Sequence, residues 1–447
     1  MRGSSADSPP AGRAASPPAS RPAASARTGG STISRSTVAD LPDGEDAPRD
    51  GRLDDVSMER PLSAYVHVPF CQVRCGYCDF NTYTSNELGA GATPREYDTQ
   101  LLGEIALAGT VLEGGRPLQT VFFGGGTPTF LQASQLAHIL GVLDLVFGLE
   151  EAAEVTTEAN PETVDGDYLH TLKEAGFTRV SIGMQSAVPH VLATLDRLHT
   201  PARVPLVRDW ARDAGLSASL DLIYGTPGES LDDWRLSLSE AIAMEPDHIS
   251  AYGLGIEPGT KMGQQVKRGL LPDTDPDDLA AKYEIADSML SAAGYAWYEV
   301  SNWAKPGHEA RHNIAYWRND NWWGFGPGAH SHINGTRFWN VKHPRAWSAR
   351  LQAGESPAAA REILSPRERA EEDIMLGIRL AEGLPLTAGI AKPGQAPARA
   401  ALAKRRHVTM LLASDGLLQP HRLAEGRMVL TLKGRLLADT VIRSLWE

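Results

Sequence analysis

The sequence predicts an α/β protein built around a parallel sheet. Two observations support this prediction: short strand-like runs alternate with longer helical stretches after Leu62, and glycine or polar residues follow the end of each run. Alternation at this spacing is typical of βαβ units. Six such units fit a partial (β/α)6 barrel, and a doubly wound sheet is the alternative. In both folds, residues that carry chemistry lie at the carboxyl ends of the strands.

The predicted elements follow one another in a regular order. Each strand is a short run rich in β-branched and aromatic residues, and each helix shows apolar residues at helical spacing. The predicted strands are 64–69, 120–123, 154–158, 179–182, 219–223 and 248–252. The predicted helices are 95–112, 133–147, 161–175, 189–198, 203–214 and 231–243.

The composition changes along the chain and suggests four segments. Residues 1–60 are rich in Ser, Ala, Pro and Arg with few large apolar residues, so we expect a disordered extension; a transit peptide is the alternative, which the many prolines disfavour. The barrel is expected over 61–300, and an aromatic- and His-rich connecting segment over 301–360. Residues 361–447 are expected to form a small helical domain with a winged-helix-like order of helix, turn, two strands and helix.

Charge and hydropathy exclude some classes of protein. The net charge of -12 and the pI of about 5.6 argue against a broad nucleic-acid surface, which would be basic. No apolar run approaches membrane-spanning length, and no secretory apolar segment stands at the N-terminus. Because the cysteines are confined to one cluster, we expect a reducing compartment, the cytoplasm.

Three cysteines, Cys71, Cys75 and Cys78, lie within eight positions in PFCQVRCGYCDFN, and the chain has no others. An odd number argues against paired disulfides, and a structural zinc site usually takes four ligands. His67 is a nearby fourth ligand for zinc, but it lies in the first predicted strand. Three thiolates would leave one iron of a [4Fe–4S] cluster open. S-adenosylmethionine (SAM) can chelate such an iron through its amino and carboxylate groups.

Polar and glycine residues at the other predicted strand ends outline one pocket. The glycines of the GGGTP run allow close backbone approach to the ammonium group of a bound SAM, although a lone GGG is usually only a turn. Glu158 is placed to accept from an amino or ribose group, or to cap a helix. If they converge, Gln185, Arg197 and Asp221 can hold a ribose, a carboxylate and an adenosine edge; scattered, they would be surface residues.

The segments YVHVPFCQVRCGYCDF, GGGTPTFL, TTEANPE, SIGMQS and DLIYGTPGE resemble the radical SAM family of coproporphyrinogen dehydrogenases and HemW heme chaperones. The resemblance runs from about Leu62 to the C-terminus. It implies that the three cysteines ligate the cluster, that Tyr65 contacts SAM and that Tyr77 stacks near the adenosine. It also implies that the SAM sites are lined by Gly125, Gly126, Thr127, Glu158, Gln185, Arg197, Asp221 and Gly253.

Two features separate the branches of this family. The oxidases carry a further cysteine two residues after the third ligand, where this chain has Phe80. The chaperones carry an HNxxYW motif, matched by HNIAYW starting at His312. An imidazole with flanking aromatic rings suits a porphyrin and its iron. On spacing alone His312 would be a core histidine; His330 and His332 are further ligand candidates.

The resemblance therefore implies a protein that binds heme and passes it to acceptor hemoproteins, among them membrane-bound respiratory enzymes. It leaves a homodimer open and implies no nucleic-acid partner. The alternative is an oxygen-independent coproporphyrinogen III oxidase, which converts two propionates to vinyl groups with SAM. A radical SAM enzyme acting on an unrelated substrate stays open from the cluster motif alone.

Overall fold

The computed structural model describes residues 43–88, 93–114, 116–390 and 396–446. The strands are β1 Glu45–Asp46, β2 Leu62–Val68, β3 Leu118–Gly125, β4 Leu149–Ala159, β5 Arg179–Gln185, β6 Ser217–Tyr224, β7 His248–Gly253, β8 Ala296–Glu299, β9 Asn302–Ala304, β10 Asn321–Phe325, β11 His330–Ile333, β12 Thr336–Asn340, β13 Ala358–Ile363, β14 Leu384–Pro385 and β15 Arg427–Met428.

The helices surround the sheet or form the C-terminal domain. They are α1 Ser85–Leu88, α2 Tyr97–Val111, α3 Ala133–Phe147, α4 Gly166–Glu174, α5 Pro189–Thr194, α6 Arg203–Ala214, α7 Leu231–Ala243, α8 Lys261–Lys267, α9 Pro276–Ala292, α10 Arg311–Trp317, α11 Pro344–Gln352, α12 Pro366–Gly377, α13 Ala396–Ser414, α14 Pro420–Ala424, α15 Leu432–Leu436 and α16 Ala438–Trp446. Within the described ranges, none of them is long and apolar enough to cross a bilayer.

The strands β2 to β7 form the predicted partial barrel. They are parallel neighbours in chain order, and helices on the outside connect them. A doubly wound sheet would reverse its strand order at a switch point. No reversal occurs between β2 and β7, so the barrel prediction is confirmed and the doubly wound alternative is wrong. The sheet continues past β2 into β10 and past β7 into β9, so the barrel is open.

Amphipathic helices cover the outer face of the barrel. On α3, Leu136, Ile139, Leu140 and Leu143 recur at helical spacing and are at most 1% exposed. Side chains at i, i+3, i+4 and i+7 share one face of a helix, here the face that packs on the sheet. Burying each leucine contributes about 1.5–3 kcal/mol of stability. This apolar layer leaves the inner face of the strands free for other residues.

Residues 301–360, expected as a connecting segment, instead extend the main sheet through β9 to β12 and the first half of β13. The strand β10 pairs in parallel with β2, and β11, β12 and β13 follow as antiparallel neighbours. Asn334 and Gly335, both at positive φ, form the turn between β11 and β12, which is typical of a tight hairpin. The buried rings of this segment, among them Trp303 and Phe325, belong to the main core.

Residues 43–60 correct the predicted N-terminal extension, because they pack against the sheet. The strand β1 pairs with β13, and Met58 is 8% exposed. Arg60 forms an ion pair with Asp373 at 3.0 Å and donates to the carbonyl oxygen of Arg318. The partners of Arg60, Arg318 and Asp373, lie more than 250 positions further along the chain. The composition of residues 43–60 therefore does not reveal that this segment packs against the sheet. Residues 1–42, the rest of the predicted extension, lie outside the described residues.

The C-terminal residues form a helical domain with its own apolar cluster, which includes Ile378, Leu418 and Val441. The two predicted strands of this domain pair with each other only through a single bridge, between Leu418 and Leu430. The short strand β15 pairs instead with β14.

Candidate functional site

A deep cavity of about 510 Å³ opens at the carboxyl ends of β2–β7 and continues between the strands. On β5, Arg179, Ser181, Gly183 and Gln185 line it, whereas Val180 is buried in the apolar core on the other face. Successive side chains of a strand point to opposite faces. The cavity therefore follows β5 from its first residue to its last, and the predicted site occupies one end of it.

Cys71, Cys75 and Cys78 lie on the loop that follows β2, and all three line the cavity as free thiols. The loop is closed at its base, because the Cys71 N–H donates to the Tyr83 carbonyl at 3.0 Å and the Tyr83 N–H donates to the Pro69 carbonyl at 2.7 Å. Burial raises the pKa of the Cys78 thiol to about 12, and it also raises the pKa of Cys71. Three thiolates here need nearby positive charge, which a bound metal cluster would supply.

Donors next to the sulfur atoms fit such a cluster. Arg197 Nη1 lies 3.6 Å from Cys75 Sγ, and Thr127 Oγ1 lies 3.8 Å from Cys71 Sγ. Hydrogen bonds to sulfur tune the reduction potential of iron–sulfur clusters.

In the described part of the chain, no three His, Cys, Asp or Glu side chains are arranged to hold a single metal ion. A [4Fe–4S] cluster has a different requirement, since each thiolate binds a different iron.

Two glycines at the end of β3 make room for this loop. A Cβ on Gly126 would lie 2.6 Å from the Phe70 carbonyl oxygen and 3.0 Å from Cys71 Sγ. A Cβ on Gly125 would lie 2.7 Å from the His67 ring, and the φ of 110° at Gly125 is rarely adopted by other residues. The sequence analysis predicted that these glycines let the backbone approach a bound SAM. The structure adds that a side chain at either position would collide with the cysteine loop or with the histidine behind it.

His67, on β2, holds the cysteine loop through one ring nitrogen and is itself held by Tyr65 through the other. Its Nε2 lies 2.9 Å from the carbonyl oxygen of Asn81 and donates to it, because a carbonyl only accepts. Its Nδ1 then accepts from the Tyr65 hydroxyl at 3.0 Å. Burial lowers the pKa of His67, which keeps the ring neutral. The hydroxyl of Tyr65 is thus bound to His67, and its ring stacks on Phe122. Phe122 lines the cavity, whereas Tyr65 does not.

Two carboxyl groups face the cavity below the cysteine loop. Glu158 accepts from the Gly125 N–H at 3.2 Å, and Asp221 accepts from the hydroxyls of Ser181 and Ser250 at 2.7 Å each. Burial, and then the charge of Asp221, raises the pKa of Glu158 to about 8. Burial also raises the pKa of Asp221. A cationic ligand would favour ionisation of both groups, so this part of the cavity suits a ligand with positive charge.

The other predicted residues at the mouth also line the cavity. Arg197 connects the cysteine loop to β5, since its Nη2 donates to the Gly183 carbonyl at 3.0 Å. Gln185 ends β5 with a φ of 60°, an uncommon conformation for a residue with a side chain. Gly253 ends β7, and Tyr77 lies in the cysteine loop, where burial raises its pKa.

His312 does not line the cavity; it lies on α10 and is 1% exposed. The Thr120 hydroxyl donates to Ser63 at 2.8 Å, so it accepts from His312 Nδ1 at 2.7 Å. His312 Nε2 then accepts from the Tyr316 hydroxyl at 2.9 Å. Burial lowers the pKa of His312 to about 3. Its ring stacks on Phe122, so the predicted iron ligand is held behind the cavity wall with both nitrogens engaged.

The sequence analysis missed the residues at the far end of the cavity. Arg179, Ser219, His248 and Asn313 line it there. The His248 ring bridges the hydroxyls of Ser219 at 2.7 Å and Tyr298 at 2.8 Å. Parallel strands buried on both faces are usually continuous runs of apolar residues. Polar residues at alternate positions, as in SASLDLIY and HISAYG, were therefore a signal of a polar barrel interior.

Comparisons with known proteins give the family context. The radical SAM superfamily matches residues 65–241, and the HemN C-terminal domain matches residues 364–437. The chain is 48% identical to the heme chaperone HemW of Mycobacterium tuberculosis over 387 residues, which cover 86% of this chain and 95% of that protein. It is 34% identical to the heme chaperone HemW of Bacillus subtilis, over 85% of this chain and 97% of that protein.

A solved structure has a similar fold. The coproporphyrinogen III oxidase HemN of Escherichia coli, a radical SAM enzyme, aligns with a TM-score of 0.74 and 24% sequence identity. The alignment covers 87% of this chain and 91% of that protein, so the likeness includes the barrel and the C-terminal domain.

Proposed function

We propose, because this chain belongs to the HemW family of radical SAM proteins, that it is a heme chaperone, which binds heme and passes it to acceptor hemoproteins. The observation that carries the proposal is the 48% identity to a heme chaperone over 95% of that protein's length. An alignment of this length covers the barrel, the sheet extension and the C-terminal domain, and not the cluster motif alone.

The family implies a [4Fe–4S] cluster and SAM. We assign the cluster to Cys71, Cys75 and Cys78; when bound, it would supply an open iron for the amino and carboxylate groups of SAM. The hydrogen-bond donors on Thr127 and Arg197 would stabilise the charged sulfur atoms. The remaining residues proposed to hold SAM line the cavity: Tyr77, Gly125, Gly126, Glu158, Gln185, Asp221 and Gly253. The resemblance adds Tyr65, which does not line the cavity.

For heme, the resemblance supports His312 as the iron ligand, and the structure adds a condition. The lone pair on Nε2 accepts a hydrogen bond from the Tyr316 hydroxyl, so the imidazole can bind iron only after that hydrogen bond breaks. One such bond contributes about 1 kcal/mol. Phe122 separates His312 from the cavity, and its ring would have to move or to stack on the bound macrocycle.

Phe80 supports the chaperone over the oxidase. Its ring is 61% exposed and lines the mouth of the cavity, at the position where the oxidases are expected to carry a further cysteine. No thiol is available there for chemistry on a substrate. An exposed aromatic ring at the entrance favours contact with a flat apolar ligand.

Further parts of the proposal concern the cellular setting. Three cysteines confined to one loop suit a reducing cytoplasm. The acceptors we propose are hemoproteins, including membrane-bound respiratory enzymes, which would link the protein to porphyrin metabolism. We also propose that the chain forms a homodimer and that it has no nucleic-acid partner. The acidic charge balance supports the second of these points.

The test offers heme and coproporphyrinogen III in parallel to the anaerobically reconstituted protein. We expect one heme per chain by absorption titration, transfer of that heme to an apo-hemoprotein, and no protoporphyrinogen IX in the presence of SAM and a reductant. Turnover of coproporphyrinogen III would identify the protein as the oxidase. Absence of heme binding would overturn the chaperone function.

A further inference from the structure

The end of the cavity opposite the cysteine loop is built around a buried guanidinium. Arg179 is the first residue of β5 and Gln185 is the last, and both line the cavity. Six steps along a parallel strand span about 20 Å. A ligand group at Arg179 is therefore well separated along β5 from one held beside Gln185.

Arg179 is incompletely paired. Its side chain is 7% exposed, and its Nη2 donates to the carbonyl oxygens of His308 at 2.8 Å and Glu309 at 3.3 Å. Its Nε and Nη1 are buried and make no hydrogen bond to any described residue. Buried polar groups are almost always paired, and each unpaired donor costs about 1–3 kcal/mol. Two unpaired donors on one planar cation, in the wall of a cavity, indicate a ligand that accepts from them.

The charges around Arg179 leave room for an anion. Glu154 forms an ion pair with Nη2 at 3.4 Å, and its two oxygens also accept from the backbone N–H groups of Arg311 at 3.1 Å and His312 at 3.0 Å. His248 is neutral, because burial lowers its pKa well below the usual range. Asp221, on the next strand, is held by two serine hydroxyls. Because the Glu154 contact is on Nη2, the Nε and Nη1 donors of Arg179 have no carboxylate partner among the described residues.

We propose that Arg179 forms a carboxylate subsite at this end of the cavity and that it binds a propionate of the tetrapyrrole. An Arg guanidinium pairs with a carboxylate through two parallel hydrogen bonds, which a planar donor set favours. The chain around His312 supports this ligand, since Ala310 and Asn313 line the same end. The proposal rests on the proposed heme function and deepens it. The carboxylate of SAM is the other candidate ligand for Arg179, and the experiment distinguishes it from a heme propionate.

The experiment titrates the anaerobically reconstituted full-length protein with heme, with heme dimethyl ester, whose propionates are blocked, and with SAM. For the wild type, we expect heme to bind about tenfold to a hundredfold more tightly than the ester. Arg179→Met should weaken heme binding by the same factor and leave the ester and SAM unchanged, and Arg179→Lys should restore part of the loss.

Arg203→Met is the matched control. Arg203 also donates to two backbone carbonyls, of Pro161 at 3.1 Å and Val164 at 2.9 Å, but it does not line the cavity. The Arg203→Met variant should bind heme, heme dimethyl ester and SAM with the affinities of the wild type. Equal affinity of the wild type for heme and its ester would overturn the subsite, even if no Arg179 variant folds. Loss of SAM rather than heme in Arg179→Met would assign the carboxylate to SAM and overturn it too. If the wild type binds no heme, the proposed function itself fails.

Discussion

The two ends of the cavity are built in different ways. At the cluster end, the cysteine loop and the GGGTP run are short continuous segments that meet through backbone contacts. At the Arg179 end, the residues come from strand starts and from a segment that lies 129 residues further along the chain. Motifs thus encode the part of a site that needs fixed loop geometry, whereas long-range packing encodes the part that shapes the space for a ligand.

The largest effect is expected at the cluster end. Replacing Cys71, Cys75 and Cys78 together by serine should abolish iron and sulfide binding, because a hydroxyl is a poor ligand for cluster iron. Iron and sulfide per chain after anaerobic reconstitution measure this. The Arg179→Met protein serves as a control from the other end and should load fully. A triple variant with a full cluster would contradict the assignment.

A single methyl group tests how tightly the cluster end is packed. Gly126→Ala places a Cβ 2.6 Å from a backbone oxygen and 3.0 Å from Cys71 Sγ, so the cysteine loop must shift; overpacking of this kind costs about 1–3 kcal/mol. We expect most of the cluster to be lost. The matched control is Gly141→Ala on α3, where a Cβ meets nothing within 4 Å. If Gly126→Ala loads as well as Gly141→Ala, the loop is looser than its contacts indicate.

The carboxyl group between the two ends should make SAM binding depend on pH. Glu158 has a pKa of about 8, so it holds a proton at pH 6.5 and must lose it to meet the positive charge of SAM. Because the ionised fraction of a group with this pKa rises about 25-fold between pH 6.5 and 8.5, the affinity for SAM should rise by about the same factor. Glu158→Gln should bind SAM weakly with a flatter profile. Calorimetry in buffers of different ionisation heat counts the released protons, and an unchanged pH profile in the variant would exclude Glu158 as the titrating group.

The smallest effect is expected at the wall behind the cavity. Tyr316→Phe removes the hydroxyl that occupies His312 Nε2, so the imidazole no longer has to break a hydrogen bond before it binds iron. Heme affinity should rise about fivefold, which corresponds to about 1 kcal/mol. His312→Ala removes the nitrogen and should weaken heme binding without changing the cluster content. If both variants bind heme like the wild type, the iron ligand lies elsewhere.

Local signals made the barrel predictable. Each of the six predicted strands lies within, or within one residue of, an observed one, because βαβ units are encoded by periodicity over a few residues. The extension of the sheet by β9 to β12 was not predicted, since its strands pair with partners distant in sequence, as β10 does with β2. One local signal was present, the Asn334-Gly335 dipeptide typical of a tight hairpin.

The candidate site divides in the same way. The glycine run and the cysteine triad could be placed from sequence because their spacing is itself the geometry. The surroundings of His312 could not, because its Nδ1 partner, Thr120, lies 192 residues away. The motif containing a histidine is visible in a sequence, but the hydrogen bonds that occupy its ring nitrogens depend on the folded neighbours.

The strand β1 has a consequence for how molecules meet one another. It lies at one end of the sheet order, is two residues long, and exposes Glu45 and Asp46. The outer edge of a sheet is a template for a strand from another molecule, and proteins protect it with short, charged edge strands. Without β1, the backbone of β13 would be open at Ala360 and Arg361, the two residues with which β1 pairs. The short charged strand β1 thus protects this part of the β13 edge from pairing with another molecule.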